Sequence, residues 1–204
     1  MDFNPITKNL LASGSVNAEL KVYDLNNPDK VHQTGPRSSK LDEITALQWN
    51  PVVPHILSAS SSSGYTSVWD LRQKKEVISL AYGGGAATGM TGHSTGMGGF
   101  GGMQVGNKRG MSDICWQPAH STRLITASED DTSPIIMVWD LRNSLAPEKI
   151  LSGHDKGILS LSWCQQDQDL LLSCGKDNRT ICWNPTTCEI IGEVSSATVT
   201  SIVY

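Results

Sequence analysis

Three side chains in the last quarter of the chain have the composition of a hydrolase triad: His154, Ser173 and Asp177. In such a triad the imidazole takes the serine proton while the carboxylate fixes the imidazole tautomer. A nucleophilic serine belongs on an exposed sharp turn of the G-x-S-x-G kind. Ser173 instead lies inside the apolar run "DLLLSC", and nothing nearby suggests an oxyanion hole. A structural role is the expected reading, with no catalytic residue.

Other chemistries are poorly supplied. The five cysteines (Cys115, Cys164, Cys174, Cys182, Cys188) have no C-x-x-C pair, so no metal site is expected. Their odd count, with no apolar stretch long enough for a signal peptide or a membrane span, suggests a soluble chain in a reducing compartment and no direct membrane insertion. Sixteen basic and 20 acidic residues are scattered, giving a net charge of −4 and no basic stripe for nucleic acid. The glycine-rich run "GGGAATGMTGHSTGMGGFGG" (83–102) is followed by the strand-like "SDICW", not a helix, and lacks Gly-Lys-Ser or Gly-Lys-Thr. It therefore does not read as a phosphate loop, and no cofactor is expected.

The elements that must hold these residues repeat along the chain. An aromatic followed by Asp or Asn recurs at Tyr23-Asp24, Trp69-Asp70, Trp139-Asp140 and Trp183-Asn184. A second series precedes it by 20 to 23 residues: Phe3-Asn4-Pro5, Trp49-Asn50-Pro51, Trp116-Gln117-Pro118 and Trp163-Cys164. Between them lie "LLASGS", "HILSAS", "RLITAS" and "LLLSCG". Each segment is short, rich in β-formers and bounded by Gly, Asn, Asp or Pro, as antiparallel strands are. In the fourth unit, strands are expected at 158–163, 169–174, 180–184 and 189–194, joined by short turns. Four such strands recurring every 40 to 50 residues and ending in Trp-Asp predict an all-β, WD-repeat β-propeller.

The fourth repeat resembles the WD-repeat family closely: Gly153-His154, Ser173, Asp177 and Trp183 fall on its loop histidine, second-strand serine, turn aspartate and third-strand tryptophan. The resemblance implies a structural clamp, in which the carboxylate accepts from the imidazole, the imidazole bonds the hydroxyl and the hydroxyl takes the indole N–H, so the buried polar groups satisfy one another. The other repeats keep less of this pattern, with Asn17, Ser63-Gly64 and Asp131 at the turn position and no clear Gly-His. They are expected to rely more on packing.

Longer phrases narrow the resemblance. "TASEDDTSPIIMVWDLR" (126–142), "GHDKGILSLSW" (153–163), "LLLSCGKDNRTICWNPTTCEI" and the earlier "DFNP", "NLLASG", "YDLNNP" and "HILSASSSSGYTSVWDLR" resemble the N-terminal propeller of the large outer-coat subunits of the COPII vesicle coat. The resemblance implies a scaffold in vesicle budding and endoplasmic reticulum to Golgi transport, cytosolic and peripheral on the membrane. The implied partners are the smaller WD-repeat outer-coat subunit, inner-coat proteins and further copies at cage vertices. The same family's propeller has seven blades, so the chain is expected to be a fragment. Its repeats fall at about 1–41, 42–82, 112–152 and 153–197, and 198–204 reads as the first strand of another.

The two Trp-Asp-Leu-Arg boxes, ending in Arg72 and Arg142, also resemble the W-D-x-R box of substrate receptors of cullin-RING ubiquitin ligases. That is the alternative function. The interval from Trp49 to Trp116, which holds the glycine-rich segment, is 67 residues, against 46 and 47 for the flanking intervals. Residues 83–111 thus read as a disordered loop inserted between consecutive blades, with Met90, Met97, Met103 and Phe100 offering an adaptable apolar contact.

Overall fold

The computed structural model describes residues 1–27, 29, 31–82 and 109–195. They form sixteen strands in four antiparallel sheets, each sheet built from four strands consecutive in sequence. The first contains β1 (Asp2–Phe3), β2 (Leu10–Gly14), β3 (Leu20–Asp24) and β4 (Val31–Gln33). The second contains β5 (Ile44–Trp49), β6 (Ile56–Ser61), β7 (Tyr65–Asp70) and β8 (Lys75–Ala81). The third contains β9 (Met111–Trp116), β10 (Arg123–Ser128), β11 (Ile135–Asp140) and β12 (Lys149–Ser152). The fourth contains β13 (Ile158–Trp163), β14 (Leu171–Gly175), β15 (Arg179–Asn184) and β16 (Glu189–Ser195).

Within the fourth sheet the second strand begins at Leu171, two residues after the position expected from hydropathy. The Asp167 side chain accepts the Asp169 N–H at 2.9 Å, and its carbonyl accepts Leu170 N–H, so these residues are spent on the turn. The expected loop at 83–111 and last strand at 198–204 fall largely or wholly outside the described residues. The part of the loop that is described, 109–111, includes Met111, the first residue of β9.

The inner strands β1, β5, β9 and β13 stand side by side, and the sheets fan outward from them. The core lies between sheets rather than within one. Ile125, Ile136, Val138 and Leu151 of the third sheet bury against Ile158, Leu171, Ile181 and Trp183 of the fourth. Val68 and Leu80 of the second meet Ile114, Trp116, Leu124 and Trp139 of the third. The contact between first and second sheets is smaller, with Ala12, Leu20 and Val22 against Trp49, Leu57 and Trp69. Each large side chain fully buried at such a junction contributes about 1.5–3 kcal/mol.

Candidate functional site

The loop after β12 carries His154 over the edge of the fourth sheet. Its Nδ1 lies 2.9 Å from Asp177 Oδ2, its Nε2 lies 2.7 Å from Ser173 Oγ, and Trp183 Nε1–H donates to the same Oγ at 2.8 Å. The bonds agree with one proton assignment: Nδ1–H donates to the carboxylate, and the Ser173 hydroxyl, accepting from the indole, donates to Nε2. Burial pushes Asp177 up, but N–H donors from Asp155 and Arg179, together with His154, outweigh it and hold the carboxyl below its ordinary range. Close approach requires two glycines. A Cβ on Gly153 would stand 2.7 Å from the Trp183 ring, and one on Gly175 would stand 2.5 Å from His154 Nδ1.

The arrangement suits a clamp and leaves no reachable nucleophile. Ser173 is 0% exposed and its oxygen is enclosed by both rings. Arg179 ties the outer strand to the loop, donating to Gly153 O at 2.8 Å and to Glu193 Oε1 at 2.6 Å.

The register locates the same positions in the other sheets. Ser173 pairs with Ile181 on the neighbouring strand, as Thr126 pairs with Met137, Ala59 with Ser67 and Ser13 with Lys21. Thr126 Oγ1 accepts Trp139 Nε1–H at 3.0 Å, so the third sheet keeps the hydroxyl–indole half of the clamp, which the sequence alone did not suggest. Ala59 has no hydroxyl, and Trp69 Nε1 is buried without a partner. At the turn position, Asn17 and Ser63 stand where expected, but register assigns the third sheet's equivalent of Asp177 to Asp130 rather than Asp131. Asp130 accepts Thr132 N–H at 2.8 Å, as Asp177 accepts Arg179 N–H. Asp131 reaches across to Gly157 N–H of the next sheet at 2.9 Å.

The recurring Trp-Asp aspartates close turns after the third strand of each sheet. Asp24, Asp70, Asp140 and Asn184 each accept, through Oδ1, the backbone N–H two residues on, at 3.0, 2.9, 3.0 and 2.8 Å. In two of them an arginine folds back on the same carboxylate. Arg142 Nε lies 2.9 Å from Asp140 Oδ2, and Arg72 Nη2 lies 3.4 Å from Asp70 Oδ2. The Arg142 fork holds Asp140 down at about 2. Both guanidinium groups are therefore engaged locally, which gives the ligase-adaptor reading no support.

The Phe/Trp-Asn/Gln-Pro series pins neighbouring sheets. Asn4 Oδ1 caps its own turn by accepting from Ile6 and Thr7, while Nδ2 donates to Pro54 O of the next sheet at 2.7 Å. Asn50 repeats this on Val52, Val53 and Ser121 O at 3.0 Å. Along the inner strands, Trp49 N–H donates to Asp2 at 2.8 Å, Trp116 N–H to Gln48 at 2.6 Å, and Leu161 N–H to Asp113 at 2.7 Å. Burial pushes the Asp2 and Asp113 carboxyls up. On β9, two residues from Asp113, burial drives the Cys115 thiol to about 12, which leaves it inert. Among the described residues no cluster of His, Cys, Asp or Glu could hold a metal ion, and no helix is long and apolar enough to cross a membrane.

The chain is similar to known proteins in sequence and in fold. The model of the WD domain, G-beta repeat, matches residues 145–184. Protein transport protein SEC31 of Mycosarcoma maydis is 63% identical over 197 residues, 97% of this chain. The chain is homologous to SEC31. The SEC31 of Coccidioides immitis is 47% identical over 95% of the chain. The chain spans about 14% of the length of these SEC31 relatives. Among solved structures, the COPII outer coat vertex on membranes contains a chain 38% identical, with a TM-score of 0.80, covering 96% of this chain and 48% of that one. A chain of the mitotic checkpoint complex, 20% identical with a TM-score of 0.67 over 94% of this chain and 49% of its own, shares the fold alone. Four sheets of this kind are blades of a WD-repeat β-propeller.

Proposed function

We propose that the chain is a propeller portion of a COPII outer-coat scaffold, acting in vesicle budding and endoplasmic reticulum to Golgi protein transport through protein–protein contacts. The observation that carries this reading is the 63% identity to a SEC31 across 97% of the chain, supported by the 38% identical outer-vertex structure. On this reading the partners are the smaller WD-repeat outer-coat subunit, inner-coat proteins and further copies at cage vertices. The location is the cytosolic side of exit-site membranes and vesicles, held peripherally. The chain performs no catalysis: the His154–Ser173–Asp177–Trp183 set acts as a structural clamp, a reading supported by the enclosure of Ser173. The four repeats belong to one domain, with 83–110 an insertion between the second and third.

Flotation with liposomes tests the proposal. Labelled full-length protein is expected to float only when the inner coat and the smaller outer-coat subunit are present. A folded protein that stays in solution with both present contradicts it.

A further inference from the structure

The second blade lacks the serine and the histidine of the clamp, and a pocket lies against its Trp69. Ala59 occupies the register position of Ser173. Gly153 directly follows β12 and leads into His154, whereas the segment after β4 reads Thr34-Gly35-Pro36-Arg37 and offers no histidine. No imidazole closes over Trp69. A pocket of about 240 Å³ remains between the first and second sheets, lined by Leu20, Lys21, Thr34, Gly35, Arg37 and Trp69 among others. Gly35, at φ +136, is wedged against Lys74 O, where a Cβ would come within 2.0 Å, so no side chain fits at this point of the wall.

The charged lining is Lys21 and Arg37 with one carboxylate, Glu19, which is paired with Lys21 at 3.3 Å. Arg37 is exposed and has no carboxylate partner among the described residues. The chain as a whole carries a charge of −4, so this cationic spot is a local feature. We infer that the pocket is a docking site for an acidic peptide, one of whose Asp or Glu side chains enters between Lys21 and Arg37 over the Trp69 wall. The argument is charge complementarity: an anionic side chain with a short apolar stem meets cations at the mouth and the Leu20 and Trp69 surfaces within. It does not depend on the coat role.

Fluorescence anisotropy of full-length protein with a labelled peptide of alternating Glu and Leu tests the site, with a Lys–Leu peptide as control. Saturable binding of the acidic peptide alone is expected, weakened about tenfold by Arg37→Glu or by Lys21→Glu. Lys156→Glu, exposed on the loop between the third and fourth sheets, is expected to change it by less than about twofold. Equal binding of both peptides, equal affinity in Arg37→Glu and Lys21→Glu, a comparable loss in Lys156→Glu, or no saturable binding would each overturn the proposal.

Discussion

Ser173 serves two rings with one oxygen, and its removal strands both. Ser173→Ala leaves the Trp183 N–H buried without an acceptor, a situation that costs about 1–3 kcal/mol. Urea unfolding is expected to show that loss. A drop in ester hydrolysis with unchanged stability would instead restore the nucleophile. The reverse change is expected at Ala59: Ala59→Ser gives Trp69 Nε1 the acceptor that Ser173 gives Trp183, and should stabilise by about 0.5–1.5 kcal/mol. The depressed Asp177 carboxyl sets a pH dependence. Its contribution is complete above the unfolded value near 4 and is lost as pH falls through the lower folded value. Stability of Asp177→Asn should therefore fall less between pH 5 and pH 2 than that of the parent, as followed by thermal melts. The clamp was legible because one repeat carries all four residue types at family spacing. Thr126 was not, because a threonine in "RLITAS" acquires meaning only when register sets it beneath Trp139.

Strands could be read from hydropathy and turn residues because each blade is a local, consecutive hairpin series. The pins between blades could not. Asn50 and Ser121 are 71 residues apart, and Gln48 and Trp116 are 68, so the partners share no local pattern. The Asn-Pro pairs were visible as a repeat, but their double task, capping one turn and bonding the next blade's, appears only in three dimensions. Asn50→Ala removes the acceptor of the Val52 and Val53 N–H groups and the donor to Ser121 O together. A loss of about 2 kcal/mol is expected in denaturant unfolding, and no change would show that water substitutes at both ends. Asp130 shows the same limit at a turn: counting along the chain chose its neighbour Asp131, and register corrected it.

Across the molecule the blade junctions are unevenly filled. The third–fourth junction buries a broad aliphatic and aromatic layer, whereas the first–second junction is narrow and bordered by pockets of about 240 and 220 Å³. Local opening is cheapest where buried apolar contact is least. Native-state hydrogen exchange should show amides of β2 and β3 opening at lower free energy than those of β10 and β14, and uniform protection would contradict this. The coat reading concerns the largest scale, and a chimaera tests it most directly. This chain replaces the matching part of Mycosarcoma maydis SEC31, and secretory cargo export is measured in cells that depend on the chimaera. The account predicts export close to the parental level; a folded, normally abundant chimaera that leaves cargo in the endoplasmic reticulum would contradict it.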